Sequence, residues 1–463
     1  MTYEEFLKGK QIIQKPSGFE AIDISSNLFN FQNDIVEWAS LKGKSAVFAD
    51  CGLGKTVIQV EWANQVYKKT DKNVLILAPL GVTIQTKDEA KKLLGLDINI
   101  CRSQQDVKSG INITNYERID KFEPDKFIGI VLDESSILKS YTGPTRTKLT
   151  KFFQDTPYKM CCTATPAPND YIELLSHAEF LNIMSAGQAL GTWFINDMKT
   201  GTWRLKGHAI KSFWEWVSTW AVYIKFPSDL GYSDEGYKLP KLNEILKIID
   251  VDIIDHTYEN GFIRNIDTSA TGYYKEKKII LKDRVDKITE IVNSTDEQYI
   301  VWCYTNDESK VLKENIMGSV EVKGNDKPDY KEEMAQAFKS GNIRVLISKA
   351  SIFGYGMNFQ KCRNAIFCGL SYSFEDYYQA VKRLYRFGQT QEVNNYIVLG
   401  STEKNILDSV RRKQEQQLIM EKNISNSIRD IQLQAFKKGH KEKRANKESK
   451  IELPDWMEVK NAV

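Results

Sequence analysis

Residues 49–59, ADCGLGKTVIQ, follow the short apolar run SAVFA and lead into a helix-forming segment. A strand, a glycine-rich turn and a helix in that order make a phosphate cradle. Gly52 and Gly54 let backbone N–H groups converge on phosphate oxygens, and the helix N-terminus adds partial positive charge. Lys55 reaches the outer phosphates and Thr56 can ligate Mg²⁺. Ala49 stands where GxxxxGK[ST] usually has its first glycine. Further on, IGIVLDESS places Asp133 and Glu134 where a buried strand emerges at its C-terminal edge, the side on which open α/β sheets bind ligands. An aspartate there can hold Mg²⁺, and the adjacent glutamate can orient and deprotonate an attacking water. These residues predict a site that binds and hydrolyses a nucleoside triphosphate.

The elements that must position them are short apolar runs alternating with helix-like segments. After SAVFA come NVLILAP (73–79), INITN (111–115), IGIVLDE (128–134) and KMCCTATP (159–166). The cadence returns in QYIVWCYT (298–305), SVEVKG (319–324), IRVLISKAS (343–351), NAIFCGL (364–370) and NNYIVLG (394–400). Such runs predict parallel sheets covered on both faces. The fold class is therefore α/β with two domains in tandem, and the phosphate loop lies in the first. LFNFQNDIVEWAS reads as the start of an amphipathic helix, KDRVDKITEIV as a helix ahead of the second sheet, and STEKNILDSVRRKQEQQLIM as a long polar helix. Gln32, about twenty residues ahead of the loop, could read an adenine edge with its amide.

GLGKT, LDESS, TATPAPND, GYGMNFQ and QAVKRLYRFGQ, in this order and spacing, resemble the ordered motifs of superfamily 2 helicases and translocases, and QAVKRLYRFGQ resembles the Swi/Snf-like branch. The resemblance spans about residues 28–420, and KFPSDLGYSDEGYKLP is similar to Swi/Snf-like helicases of phages and prophages. It implies two RecA-like domains that clamp ATP with Mg²⁺ and move on DNA, most simply duplex. Gln32 would then touch adenine, Lys55 and Thr56 the phosphates and Mg²⁺, Asp133 the Mg²⁺, and Glu134 the water. Thr163, Thr165 and Gln379 would couple the domains, Gly356 and Gln389 would line the nucleotide, and Arg383 and Arg386 would neutralise charge on the transferred phosphoryl group. If QAVKRLYR begins a helix, residues three apart share a face and both guanidiniums could point at the nucleotide. Nucleic acid would meet the loops after NVLILAP, Asn115 and Tyr116, Thr305, and the loop from Ser348 to Asn358. Ser135 and Ser136 stand where the branch usually carries Ala-His, Ala350 where a threonine is common, and Phe353 where a glycine is.

Residues 185–240 hold five of the nine tryptophans, Trp193, Trp203, Trp214, Trp216 and Trp220. Phe213, Trp216, Val217 and Trp220 recur at helical spacing, which predicts a buried stripe rather than a base-stacking platform. The domain plan is thus 1–184 for the first RecA-like domain, 185–240 for a Trp-rich helical insertion and linker, 241–400 for the second domain, and 401–463 for a brace helix and basic tail. In that tail KKGHKEKRANKESK (437–450) holds seven Lys or Arg against two Glu, and reads as a solvated segment before a nucleic-acid arm.

With 463 residues and 41% apolar content the chain can build two to three cores at about 150 residues each. A net charge of +3 excludes a general polycation, so any nucleic-acid surface must be a local stripe. The seven cysteines show no CxxC spacing, so neither zinc nor disulfides are expected. MTYEEFLKGK carries acids and no apolar signal-peptide core, and no apolar run approaches about 18 residues. The expectation is a soluble, cytoplasmic, monomeric protein of a bacterial or phage-infected cell. Three functions compete with a DNA translocase: a strand-separating DNA helicase, an RNA helicase, and an ATP-gated DNA-binding scaffold. Glu134 and the paired arginines favour the motor.

Overall fold

The computed structural model describes residues 17–79, 82–139, 143–167, 170–197, 202–250, 254–255, 262–263, 277–353 and 358–439. They form two compact units: the residues up to Glu235 together with those from Gln417 onward, and Gly236–Gln416.

In the first unit, helix α1 (Asn30–Lys42) precedes β1 (Lys44–Ala49), and the phosphate loop leads into α2 (Lys55–Thr70). Strands β2 (Val74–Ala78), β3 (Asn99–Ile100), β4 (Ile111–Asn115), β5 (Gly129–Asp133) and β6 (Tyr158–Thr163) follow. Next come helices α3 (Glu173–Phe180) and α4 (Ala186–Trp193), an antiparallel hairpin of β7 (Phe194–Asp197) and β8 (Thr202–Leu205), α5 (Ile210–Trp220), and β9 (Ala221–Ile224). Seven strands form one all-parallel sheet in the order β3-β4-β2-β5-β6-β1-β9. Strands β2, β4 and β5 are buried along their whole length, as both faces of a covered parallel sheet require.

The span 185–240, expected to be a helical insertion, contains helices α4 and α5 together with the hairpin and an edge strand of the first sheet. Four of its five tryptophans are core, and Trp203 is partly buried against them. Phe213, Trp214, Trp216, Val217 and Trp220 of α5 pack with Trp193 against the sheet, and Trp193 stacks on Trp216 with ring centroids 4.5 Å apart.

The second unit begins with β10 (Leu242–Ile249). The short strands β11 (Ile254–Asp255) and β12 (Phe262–Ile263) pair with each other. Helix α6 (Leu281–Asn293) leads to β13 (Tyr299–Cys303), followed by α7 (Asn306–Asn315), β14 (Val320–Val322), β15 (Val345–Lys349), β16 (Asn364–Cys368), α8 (Phe374–Val381) and β17 (Val393–Gly400). The sheet order is β10-β17-β16-β13-β15-β14, again all parallel. Successive β13 residues feed opposite faces: Tyr299, Val301 and Cys303 join one core, Ile300 and Trp302 the other. These are the two α/β domains, each built on a parallel sheet, that the sequence predicts.

The long helix α9 (Lys404–Gly439) serves both units. Ile406, Leu407 and Val410 enter the second unit's core. In the first unit Glu421 pairs with Lys225 at 2.8 Å, and the Gln432 amide donates to Tyr223 O (3.1 Å) and accepts from Tyr223 N (2.8 Å) along the outer edge of β9. The basic tail beyond Gly439, Gly356, and residues 80–81 after NVLILAP lie outside the described residues. Among the described residues no helix is long and apolar enough to cross a membrane.

Candidate active site

The site is built at the C-terminal ends of three neighbouring strands of the first sheet. β1 delivers the phosphate loop, β6 lies beside it, and β5 is one strand further on. Gly54 caps α2 in a left-handed conformation (φ 79°), and a Cβ there would lie 2.3 Å from Gln32 Nε2. Only glycine fits that combination without strain. Gln32 reaches over from α1, donating to Leu53 O at 3.0 Å and accepting from Phe29 N at 3.0 Å. Its amide therefore braces the loop. The Lys55 ammonium curls beneath the loop, donating to Ala49 O (2.9 Å) and Asp50 O (3.4 Å). Thr56 follows at the start of α2, half-buried.

Asp133 ends β5 and is almost wholly buried. Burial and the neighbouring Glu134 carboxylate push it up to about 7, with the Lys55 charge pulling the other way. Two crowded carboxylates with one nearby ammonium favour a divalent cation, and Thr56 with Asp133 is a sparse oxygen donor set of the kind Mg²⁺ accepts. Among the described residues no cluster of three His, Cys, Asp or Glu side chains could hold a metal.

Glu134 has φ 53° and ψ 56°. Among the described residues the other non-glycine ones at positive φ are Asp23, Asp71 and Asn182, types that tolerate the region, whereas a glutamate there costs roughly 1–2 kcal/mol. The surroundings hold it. Thr163 Oγ1 donates to Glu134 Oε2 at 3.2 Å while accepting from Thr165 N at 3.1 Å, so the end of β6 is wired to the carboxylate. Thr165 Oγ1 itself has no hydrogen-bond partner among the described residues. Lys55, Asp133, Glu134, Thr163 and Gln32 thus gather at one sheet edge.

The residues expected to touch nucleic acid are placed differently. Tyr116 is buried and donates to Asp133 O at 2.7 Å, so it braces the end of β5. Thr305 is the N-cap of α7, accepting from Glu308 N at 3.1 Å, while Glu308 Oε2 accepts from Tyr304 N and Thr305 N. Ser348 donates to Val322 O at 3.0 Å on the neighbouring strand. Asn115 and Asn358 each keep an Oδ1 without a hydrogen-bond partner among the described residues.

The arginine motif differs from its expectation. QAVKRLYR does not begin a helix, because α8 ends at Val381. The Arg383 N–H turns back to Ala380 O, and its Nε takes the Gln379 carbonyl at 3.1 Å that a continuing helix would have given to that N–H. Arg383 Nη2 also donates to Gln379 Oε1 at 2.8 Å, and Arg383 O accepts from Phe359 N. Arg383 and Arg386 therefore lie in successive turns, not on one helical face. Gln389 Nε2 donates to Gln360 O at 2.8 Å and approaches Cys362 O and Leu384 O, lacing the GYGMNFQ and arginine segments together.

Sequence reasoning missed His177. On α3 it is fully buried, with Nε2 3.2 Å from Ser135 Oγ and Nδ1 3.2 Å from Glu173 O. A lone histidine in SHAEF carries no motif, and its partner lies 42 residues away.

Residues 283–388 match the helicase conserved C-terminal domain. The match lies within the second unit, takes in Thr305, Ser348, Asn358, Gln379, Arg383 and Arg386, and stops one residue before Gln389. No curated protein matches the chain. Among solved structures it is similar to the Sulfolobus solfataricus SWI2/SNF2 ATPase core in complex with dsDNA, at 18% identity and a TM-score of 0.41, over 91% of this chain and 98% of that one.

Proposed function

We propose that the chain is an ATP-dependent DNA translocase of the Swi/Snf-like type, which hydrolyses ATP and couples turnover to movement on duplex DNA. The observation that carries this reading is Glu134, held left-handed and hydrogen-bonded by Thr163 at the end of the sheet from which the glycine-rich loop also emerges. Gly52, Gly54 and Lys55 hold the phosphates, and Gln32 links the adenine side of the site to the loop it braces. Thr56 and Asp133 would hold Mg²⁺, which supplies charge neutralisation on the phosphate oxygens. Glu134 accepts the proton of the water whose oxygen forms the new bond to the γ-phosphorus as the bond to the β–γ bridging oxygen breaks. ADP and phosphate leave, and Glu134 returns the proton to solvent. Arg383 and Arg386 stabilise the charge on the transferred group, with Gln389 tying their segment to Gln360. Thr163, Thr165 and Gln379 relay the state of the site. Asn115 and Asn358 are assigned to nucleic acid, and Tyr116, Thr305 and Ser348 hold the segments that present them.

The test is steady-state ATP hydrolysis without nucleic acid, then with duplex DNA, single-stranded DNA and RNA at one salt concentration. Strongest stimulation by duplex, followed by ATP-dependent displacement of a triplex-forming strand, is the expected result. Preference for a single strand or RNA would replace the reading with strand separation, and ATP-dependent DNA binding without displacement would replace it with a clamp.

A further inference from the structure

We infer that His177 is a positioning residue for hydrolysis, acting through the Ser135 hydroxyl to hold Glu134 in its left-handed backbone conformation; this rests on Glu134 being the base. The Glu173 carbonyl can only accept, so the Nδ1 that faces it at 3.2 Å carries the proton. Burial pushes the imidazole down to about 4, so at neutral pH the ring holds a single proton and Nε2 is an acceptor. The Ser135 hydroxyl therefore donates to Nε2. The ring is fixed in turn by an edge-to-face contact with Phe48 of β1, at 5.2 Å between centroids.

Glu134 is thus bracketed. Tyr116 holds the carbonyl of the preceding residue, Thr163 holds the carboxylate, and His177 holds the side chain of the following residue. A strained conformation persists only where its surroundings over-determine it. His177 reaches this loop from α3, on the Ser135 side of Glu134. Without that bond the Ser135 side chain keeps only the buried Cys161 thiol beside it, and Glu134 can relax toward an ordinary strand conformation, which moves the carboxylate away from the water.

The test uses the full-length protein with Ser135→Ala, His177→Leu and His177→Gln, alone and combined with Glu134→Gln. Turnover at saturating DNA, binding of a fluorescent ATP analogue, and melting temperature are measured together. Ser135→Ala and His177→Leu should lower kcat by about 10- to 100-fold, since small misplacements of reacting groups cost rates of that order. KM for ATP and analogue affinity should stay within about twofold, the scale of a contact that does not touch substrate. His177→Gln, whose amide oxygen can accept the Ser135 hydroxyl, should recover most of the rate. In the Glu134→Gln background neither substitution should slow the residual turnover further. Unchanged kcat, a loss carried by KM and melting temperature, or an undiminished loss beside Glu134→Gln would each overturn the inference. Should His177→Leu fail to fold, Ser135→Ala carries the test. Absence of turnover in the unsubstituted protein would instead overturn the proposed function, and this inference with it.

Discussion

At the strand ends of the first unit, Thr163 donates to Glu134, Gln32 braces the loop above Lys55, and Tyr116 supports Asp133. At the strand ends of the second, Thr305 caps its own helix, Ser348 bonds the adjacent strand, and Arg383 folds onto Gln379 four residues back. The residue types are alike and the architecture is the same parallel sheet. What differs is the origin of the partners. In the first unit, polar atoms from separate strands and helices converge on one another, which builds a site. In the second, most are satisfied by sequence neighbours or by an adjoining strand, which builds a frame. Residue type therefore says less about ligand contact than the sequence distance to the hydrogen-bond partner.

The comparison breaks most visibly at the arginines. Arg383→Ala and Arg386→Ala should each lower DNA-stimulated turnover by about 10³- to 10⁵-fold if they act on the phosphoryl group. An Arg383→Ala protein that turns over normally but melts earlier would make that arginine part of the frame. In the first unit, Glu134→Gln should lower kcat by about 10²- to 10⁴-fold with ATP binding retained, whereas Lys55→Ala should lose binding in an equilibrium titration. Glycines sharpen the contrast. Gly54→Ala adds a Cβ at φ +79° against Gln32, and Gly369→Ala adds one at φ +85°, 2.9 Å from Arg284 Nη1. Each should destabilise its unit by roughly 1–2 kcal/mol in urea unfolding, and only the first should weaken ATP binding. Smallest is Thr305→Ala, which removes a helix cap worth about 1 kcal/mol and should leave duplex affinity unchanged. A clear loss of affinity there would return Thr305 to the nucleic-acid surface.

The phosphate loop, the Asp133–Glu134 strand end and most central strands were legible because each is a local pattern: an apolar run, a turn, a helix start. Among the edge strands β14 was read from SVEVKG, but β3, β9 and β10 were not. β9 continues the apolar stripe of α5 without a break, so AVYI reads as more helix. β10 alternates partly buried and exposed residues because it lies at the rim of its sheet, and LNEILKII lacks the continuous apolarity of the interior strands. The end of α8 was hidden because no glycine or proline marks it; the Arg383 side chain ends it by taking a backbone carbonyl. His177 and Tyr116 act at 42 and 17 residues' separation, beyond any motif.

The Gln432 amide on the rim of β9 has a bearing on how the protein is made. β9 is an outermost strand, and an open strand edge is a template for pairing with another chain. The residue that covers it comes after the whole second unit has left the ribosome. The first unit is thus interrupted in its covalent order by the second, and the cover of β9 arrives with α9. A nascent chain stalled before residue 417 would carry β9 with its outer edge unguarded, so α9 also shields the first unit from self-association during synthesis.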